Sequence, residues 1–164
     1  MRPEFFGFEM SSSITVKTPV RRAWKLVAEA NRWPDWSEVC TDVWNAPGRS
    51  DDWRVGHRFG FRLRIATRNV PFNVAVTRIE QDPSPGASSD RLIEWTSTKF
   101  TITAVRTISV VDDPGPGSGN CRVVDTKSFS SPLLSIGLAY PRWLIRRMTE
   151  SWLCDLKREA EAGR

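Results

Sequence analysis

Apolar residues recur along this chain at two periods. From Phe6 to Val16 they take alternate positions, with Phe6, Phe8, Met10, Ile14 and Val16 in one phase. That is the period of a strand with one apolar face, predicted over 4–17 with Ser11 to Ser13 as a candidate interruption. Thr18-Pro19 then reads as a helix start, with Thr18 as N-cap and Pro19 at the first position. Ala23, Trp24, Val27 and Ala30 give a helix over 19–30 its apolar face. Pro34 breaks that helix, and Trp36 to Val39 form one short turn of a second. Strand spacing returns over 40–46 and most cleanly over 58–65. There Phe59, Phe61, Leu63 and Ile65 alternate with Arg58, Gly60, Arg62 and Arg64. Further strands are predicted over 70–80, 91–98, 100–111 and 121–130. Turn-forming Pro, Gly and Ser cluster at 83–89 and 112–120. These connections are too short for crossover helices, so the strands should pair antiparallel.

The period changes once more at the end. Between Pro141 and Ala162, the residues Ile145, Met148, Trp152 and Leu156 recur at helical steps, with Thr149 and Asp155 flanking the stripe. Arg146, Arg147, Lys157, Arg158 and Glu161 lie mostly off it. Pro141 suits the first helical position and Gly163 the end. Such a helix of about 20 residues is roughly 30 Å long, enough to cross a small domain. A sheet with one apolar face and one long amphipathic helix bury those faces together. The expected class is α+β, with a curved antiparallel sheet wrapped around the last helix and two short helices after the first strand.

Composition narrows the picture. At 164 residues one domain spanning 1–164 is expected. Eight tryptophans suit a deep core and an apolar ligand site alike. A net charge of +5 fits an acidic partner, but the basic residues are spread out and form no block, which argues against nucleic acid. Cys40, Cys121 and Cys154 have neither zinc spacing nor a disulfide pattern. His57 is the single histidine, so most metal sites and a serine–histidine triad are disfavoured; no metal or cofactor is expected. Residues 1–10 carry Glu4 and Glu9 and do not read as a signal peptide. No segment approaches a membrane span. A cytoplasmic protein is the expectation.

Several segments carry a family resemblance when taken in order. The opening strand leads into Thr18-Pro19-Val20-Arg21-Arg22-Ala23-Trp24, then Asn31-Arg32-Trp33-Pro34-Asp35-Trp36. Val55-Gly56-His57-Arg58-Phe59 and Asp90-Arg91-Leu92-Ile93-Glu94-Trp95 follow, then 122–133 and the closing Leu156-Lys157-Arg158-Glu159-Ala160. The chain resembles the START/polyketide-cyclase superfamily (SRPBCC), which shares the fold of the birch pollen allergen. That resemblance implies a helix-grip fold with an apolar cavity between sheet and helix. Members bind lipids, sterols, polyketides or plant hormones there, and some catalyse cyclisation, dehydration or aromatisation. Others only carry a ligand, and one branch assists a chaperone.

The resemblance makes inward-facing residues the candidates. For an apolar wall these are Phe59, Phe61, Leu63, Trp95, Ile102, Ile108, Phe129, Met148 and Trp152, each equally able to be plain core. Polar residues on apolar faces say more, because burying charge is costly without a partner. Arg106 shares the phase of Phe100, Ile102, Ala104, Ile108 and Val110. Asp125 and Lys127 share that of Val123 and Phe129. The family often has a carboxylate or other polar residue near Lys127, and the lysine here carries no carboxylate role. Symmetry about the turn near Gly115 to Gly117 brings 106 close to 125. Arg106 and Asp125 then form either a structural ion pair or a polar end that orients a ligand oxygen. Tyr140, the only tyrosine, is a candidate proton donor at the cavity mouth or else a cap on the core. His57 reads as a turn or surface residue, and Glu94 faces outward if Trp95 faces in. The expected partner is a hydrophobic small molecule, with an acidic carrier protein as a second partner suited to the positive charge. A catalyst predicts converging polar groups in one cavity, a carrier an almost purely apolar one, and an interaction module a filled core with an exposed apolar patch.

Overall fold

The computed structural model describes residues 6–81, 90–99, 101–113, 119–132 and 141–163. Tyr140 and Phe100 lie outside them, as do most of the two turn-rich stretches. The strands are β1 (Phe6–Val16), β2 (Cys40–Trp44), β3 (Arg58–Ile65), β4 (Arg68–Glu80), β5 (Arg91–Lys99), β6 (Ile102–Asp112) and β7 (Cys121–Ser131). The α-helices are α1 (Val20–Ala28), α2 (Trp33–Trp36) and α3 (Arg142–Ala162). All strands join one seven-stranded sheet in the order β1-β7-β6-β5-β4-β3-β2. Every pair is antiparallel. The curved sheet grips α3, as the two apolar faces require.

The inner face is set by the period-two pattern. In β3, Phe59 and Phe61 are buried while Arg58 and Arg64 are exposed. Gly60 points outward, and Trp44 lies across it: a Cβ there would meet the indole at 2.1 Å. A bulge between Val76 and Arg78 in β4 turns both Thr77 and Arg78 outward and brings Ile79 back in. Ser11 to Ser13 do not interrupt β1, because they keep the alternation, with Ser11 and Ser13 exposed and Ser12 half-buried.

The first helices end and begin earlier than expected. Pro19 is the N-cap of α1, with no side-chain cap, and Thr18 is buried. α1 stops at Ala28, well before Pro34. Its last carbonyls find indole partners: Trp33 Nε1 donates to Val27 O at 3.1 Å and Trp53 Nε1 to Ala28 O at 2.8 Å. Orphan carbonyls at a helix end need such donors. α2 occupies 33–36, with Pro34 in its first turn, where a missing N–H costs little.

Trp33 is the hub of the core. Phe59, Phe61, Trp95 and Trp152 surround it at centroid distances of 5.7 to 6.2 Å. Pro141 caps α3 rather than opening it. Trp152, Leu153, Leu156 and Ala160 are buried. Asp155 is buried too, and its Oδ2 accepts the Glu38 N–H at 2.9 Å, tying the chain after α2 to the helix. Lys157 Nζ donates to Thr15 O at 2.8 Å, so the far end of α3 is fastened to β1. No helix among the described residues is long and apolar enough to cross a membrane.

Candidate functional site

Between the inner face of the sheet and the first half of α3 lies a cavity of about 120 Å³. Strands β3, β4 and β5 supply apolar wall through Phe61, Leu63, Phe72, Val74 and Trp95. Phe129, Ile145, Met148 and Trp152 close it from β7 and α3. An engineered apolar cavity of roughly 150 Å³ accommodates benzene, so this space suits about one aromatic ring. A larger groove of about 510 Å³ is lined by Asn45, Arg58, Asn73 and Thr96, but no cluster of titratable groups meets there.

One end of the cavity is charged. Arg106 and Lys127 stand directly opposite each other on β6 and β7. Like charges in that position repel. Asp125, opposite Ile108, lies diagonally between them and is fully buried. Arg106 Nε donates to its Oδ1 at 3.1 Å and Nη2 to its Oδ2 at 2.7 Å, a bidentate fork. Lys127 Nζ lies 3.5 Å from the same Oδ2 and also donates to Thr149 Oγ1 on α3. Thr149 in turn donates to Ile145 O at 2.7 Å. The Arg106 guanidinium rests on two indoles, 4.7 Å from the centroid of Trp152 and 5.4 Å from that of Trp95.

These contacts set the protonation states. Burial alone would raise the Asp125 carboxyl, but the charges of Arg106 and then Lys127 outweigh it and hold it below the ordinary carboxylate value. Burial pushes Lys127 down, Asp125 pulls it up and Arg106 pushes it down again, leaving it at about 8. Two cations therefore share one carboxylate. No acid is among the described residues lining the cavity. Arg106 Nη1 has no partner among the described residues.

The sequence candidates divide clearly. Phe61, Leu63, Trp95 and Phe129 line the cavity, as do Met148, Trp152, Arg106 and Lys127. Asp125 sits behind the last two. Phe59 and Ile108 are inward but belong to the solid core: Phe59 packs on Trp53 at 4.9 Å, and Ile108 is wholly buried. Ile102 packs instead in a small cluster with Phe129 and Ile145. Phase alone gives the face of a strand, not the position along it where the core opens. Tyr140 lies outside the described residues. His57 Nε2 meets the carbonyl of Asn45 at 2.7 Å, and Glu94 accepts from Thr77 and Thr107 on the outer face. Val39, Phe72, Val74 and Ser97 are among the lining residues that had not been candidates. Phe72 and Val74 shared a phase that pointed inward; Val39, outside any strand, gave no such signal. Thr149 was visible only as a flank of the helical stripe.

No protein-family model and no curated protein sequence matches the chain. Solved structures do. A START superfamily protein from Mycobacterium smegmatis is similar at TM-score 0.69 and 14% identity, over 95% of this chain and 99% of that one. The Zhui aromatase/cyclase from Streptomyces sp. R1128 is similar at TM-score 0.69 and 12% identity, over 95% and 94%. Major latex-like protein 151 from Panax ginseng is similar at TM-score 0.70 and 9% identity, over 94% and 98%. At such identities the likeness establishes the fold: it is the helix-grip fold of START-like and birch-pollen-allergen-like proteins.

Proposed function

We propose that the protein binds a hydrophobic small molecule in this cavity, with an oxygen of the ligand held at the Arg106–Lys127 end. The observation that carries the reading is the charge imbalance: two cations against one carboxylate, at one end of an otherwise apolar space. Unspent N–H donors in a low-dielectric wall favour a carbonyl or carboxylate over a hydrocarbon. Asp125 fixes Arg106, and Arg106 orients the ligand. The START-like fold supports the same ligand class.

Titrating the intrinsic tryptophan fluorescence with benzoate and with toluene tests this. Trp95 and Trp152 line the space, so occupancy should quench or shift emission. The protein should prefer benzoate, and Arg106→Leu should erase the preference while toluene binding persists. Equal response to both ligands in the unaltered protein refutes the polar anchor. Native mass spectrometry of the freshly purified protein identifies any molecule that co-purifies.

A second reading is favoured by the convergence of Arg106, Asp125 and Lys127 on one space. Here the ligand is a polyketide-like substrate, folded in the dry cavity for cyclisation, dehydration or aromatisation; the fold shared with an aromatase/cyclase supports this reading. Tyr140 is then the proton donor, and an acidic carrier protein delivers the substrate to the basic surface. Tyr140→Phe should preserve binding and slow turnover by about 100-fold.

A further inference from the structure

We propose that Lys127 is a carbonyl-reactive amine that condenses with an aldehyde or ketone ligand in the cavity to form an imine. This rests on the ligand-binding reading and goes beyond it in naming a covalent step and its substrate class.

The five lysines of the chain are not alike. Lys17, Lys25 and Lys99 are exposed, and Lys157 donates to Thr15 O and Glu161 at the rim. Lys127 alone among them lines the cavity, its side chain only 17% exposed. Its surroundings are those of an activated amine. On β6 the cation of Arg106 faces it; on β7 Asp125 lies beside it; on β1 its pair is Met10; on α3 its neighbour is the uncharged Thr149. Burial and the adjacent guanidinium both favour the uncharged form, and Asp125 only partly opposes them, so its pKa falls to about 8. Each pKa unit is tenfold, so near neutral pH the uncharged amine is about 300-fold more populated in Lys127 than in an ordinary lysine.

The chemistry balances without an oxidant or cofactor. The nitrogen lone pair attacks the carbonyl carbon, and the C=O π pair moves to oxygen. Arg106, which lines the same cavity and spends Nε and Nη2 on Asp125, would supply a donor to that oxygen. A C=N bond forms as the C–O bond breaks, and both protons of the neutral amine leave with the oxygen as water. Asp125 Oδ2, 3.5 Å from Nζ, is the carboxylate acceptor beside it that can relay one of them. The cavity of about 120 Å³ fits a one-ring carbonyl compound.

Benzaldehyde with cyanoborohydride tests the proposal, because reduction turns an imine into a stable benzylamine. The whole chain is treated at neutral pH, weighed intact and mapped by peptide. The α-amine, whose ordinary pKa is also about 8, is scored separately; among the lysines, the benzyl group should appear on Lys127 at least about tenfold ahead of any other, reflecting its larger uncharged fraction. Its labelling rate should rise with pH and level off above about 8. Excess benzyl alcohol, of similar shape but without a carbonyl, should suppress labelling at Lys127 and leave the surface lysines unchanged. Lys127→Arg should lose the site; the unaltered protein carries the test if that variant does not fold. Labelling spread evenly over the lysines, while benzyl alcohol still binds by tryptophan fluorescence, overturns the imine and leaves the ligand reading standing. If benzyl alcohol does not bind and Lys127 is not labelled, both fall.

Discussion

Between Leu153 and Ala160, α3 packs on the sheet and α1; Leu156 is wholly buried, and Asp155 and Lys157 fasten this half to the chain after α2 and to β1. Between Ile145 and Thr149 the same helix faces a cavity, and its polar contact with the sheet is to a lysine side chain. The C-terminal half is anchored by side chains that reach main-chain atoms, which hardly move. The N-terminal half is anchored to Lys127, whose charge state depends on pH and on what fills the cavity. A helix can thus be scaffold at one end and site at the other, provided the aromatic cluster around Trp33 separates the two.

The contrast can be broken from either side. The largest effect is expected for Asp125→Leu, which leaves two buried cations without their carboxylate. Loss of one partner of a buried pair costs about 3–5 kcal/mol, read as a fall in the denaturant midpoint. Next comes Leu156→Ala in the solid half, expected to cost about 2–5 kcal/mol through the cavity it opens. Met148→Ala, at the edge of a space that already exists, should cost no more than about 1 kcal/mol and should enlarge the range of ligands accepted. An equal loss in the two variants would mean that the first half of α3 is packed as tightly as the second. The smallest effect belongs to the outer face: replacing Arg58, Arg62 and Arg64 together with Gln should leave benzoate binding unchanged.

Acid should loosen the site end first. The folded-state pKa of Asp125 is lowered, so its stabilisation is complete above the unfolded carboxylate value of about 4 and is lost as pH falls through the folded value. Lys127 acts in the same sense at higher pH. Its folded value of about 8 lies below the unfolded one, so the unfolded chain holds the extra proton and stability climbs as pH rises from about 8 to about 10.4. Thermal melts across both windows check this. The Asp125→Leu variant should lack the acid loss assigned to that carboxylate.

The architecture was legible because its determinants are local. Alternation in β1 and β3 and the helical stripe of α3 each name a buried face, and two faces of one sheet and one helix have few ways to meet. The polar cluster was legible too, since Arg106 and Asp125 each break an apolar phase. Its geometry was not: the register sets Arg106 opposite Lys127, so the ion pair runs diagonally, and Lys127 enters as a third member. Phe59 and Ile108 show the other limit. Their phase is right, yet they lie where Trp53 and the helices fill the concavity. The end of α1 depended on indole donors from Trp33 and Trp53, which come later in the chain and cannot be paired by spacing.

The sheet order also has a consequence in time. β1 leaves the ribosome before the other strands of this sheet, and its partner leaves after them: Phe6 pairs with Ser131 and Val16 with Cys121. At about 5–20 residues per second, β1 waits on the order of ten seconds for β7. During that wait an apolar strand is a hazard for wrong pairing. Glu9, Ser11, Ser13 and Thr15 on its outer face keep half of it compatible with water. The late β1–β7 closure makes this a high-contact-order topology, so refolding should be slow for the size of the chain. A circular permutant that opens the chain elsewhere and joins the old ends should refold faster if the pairing of β1 with β7 is the delaying step.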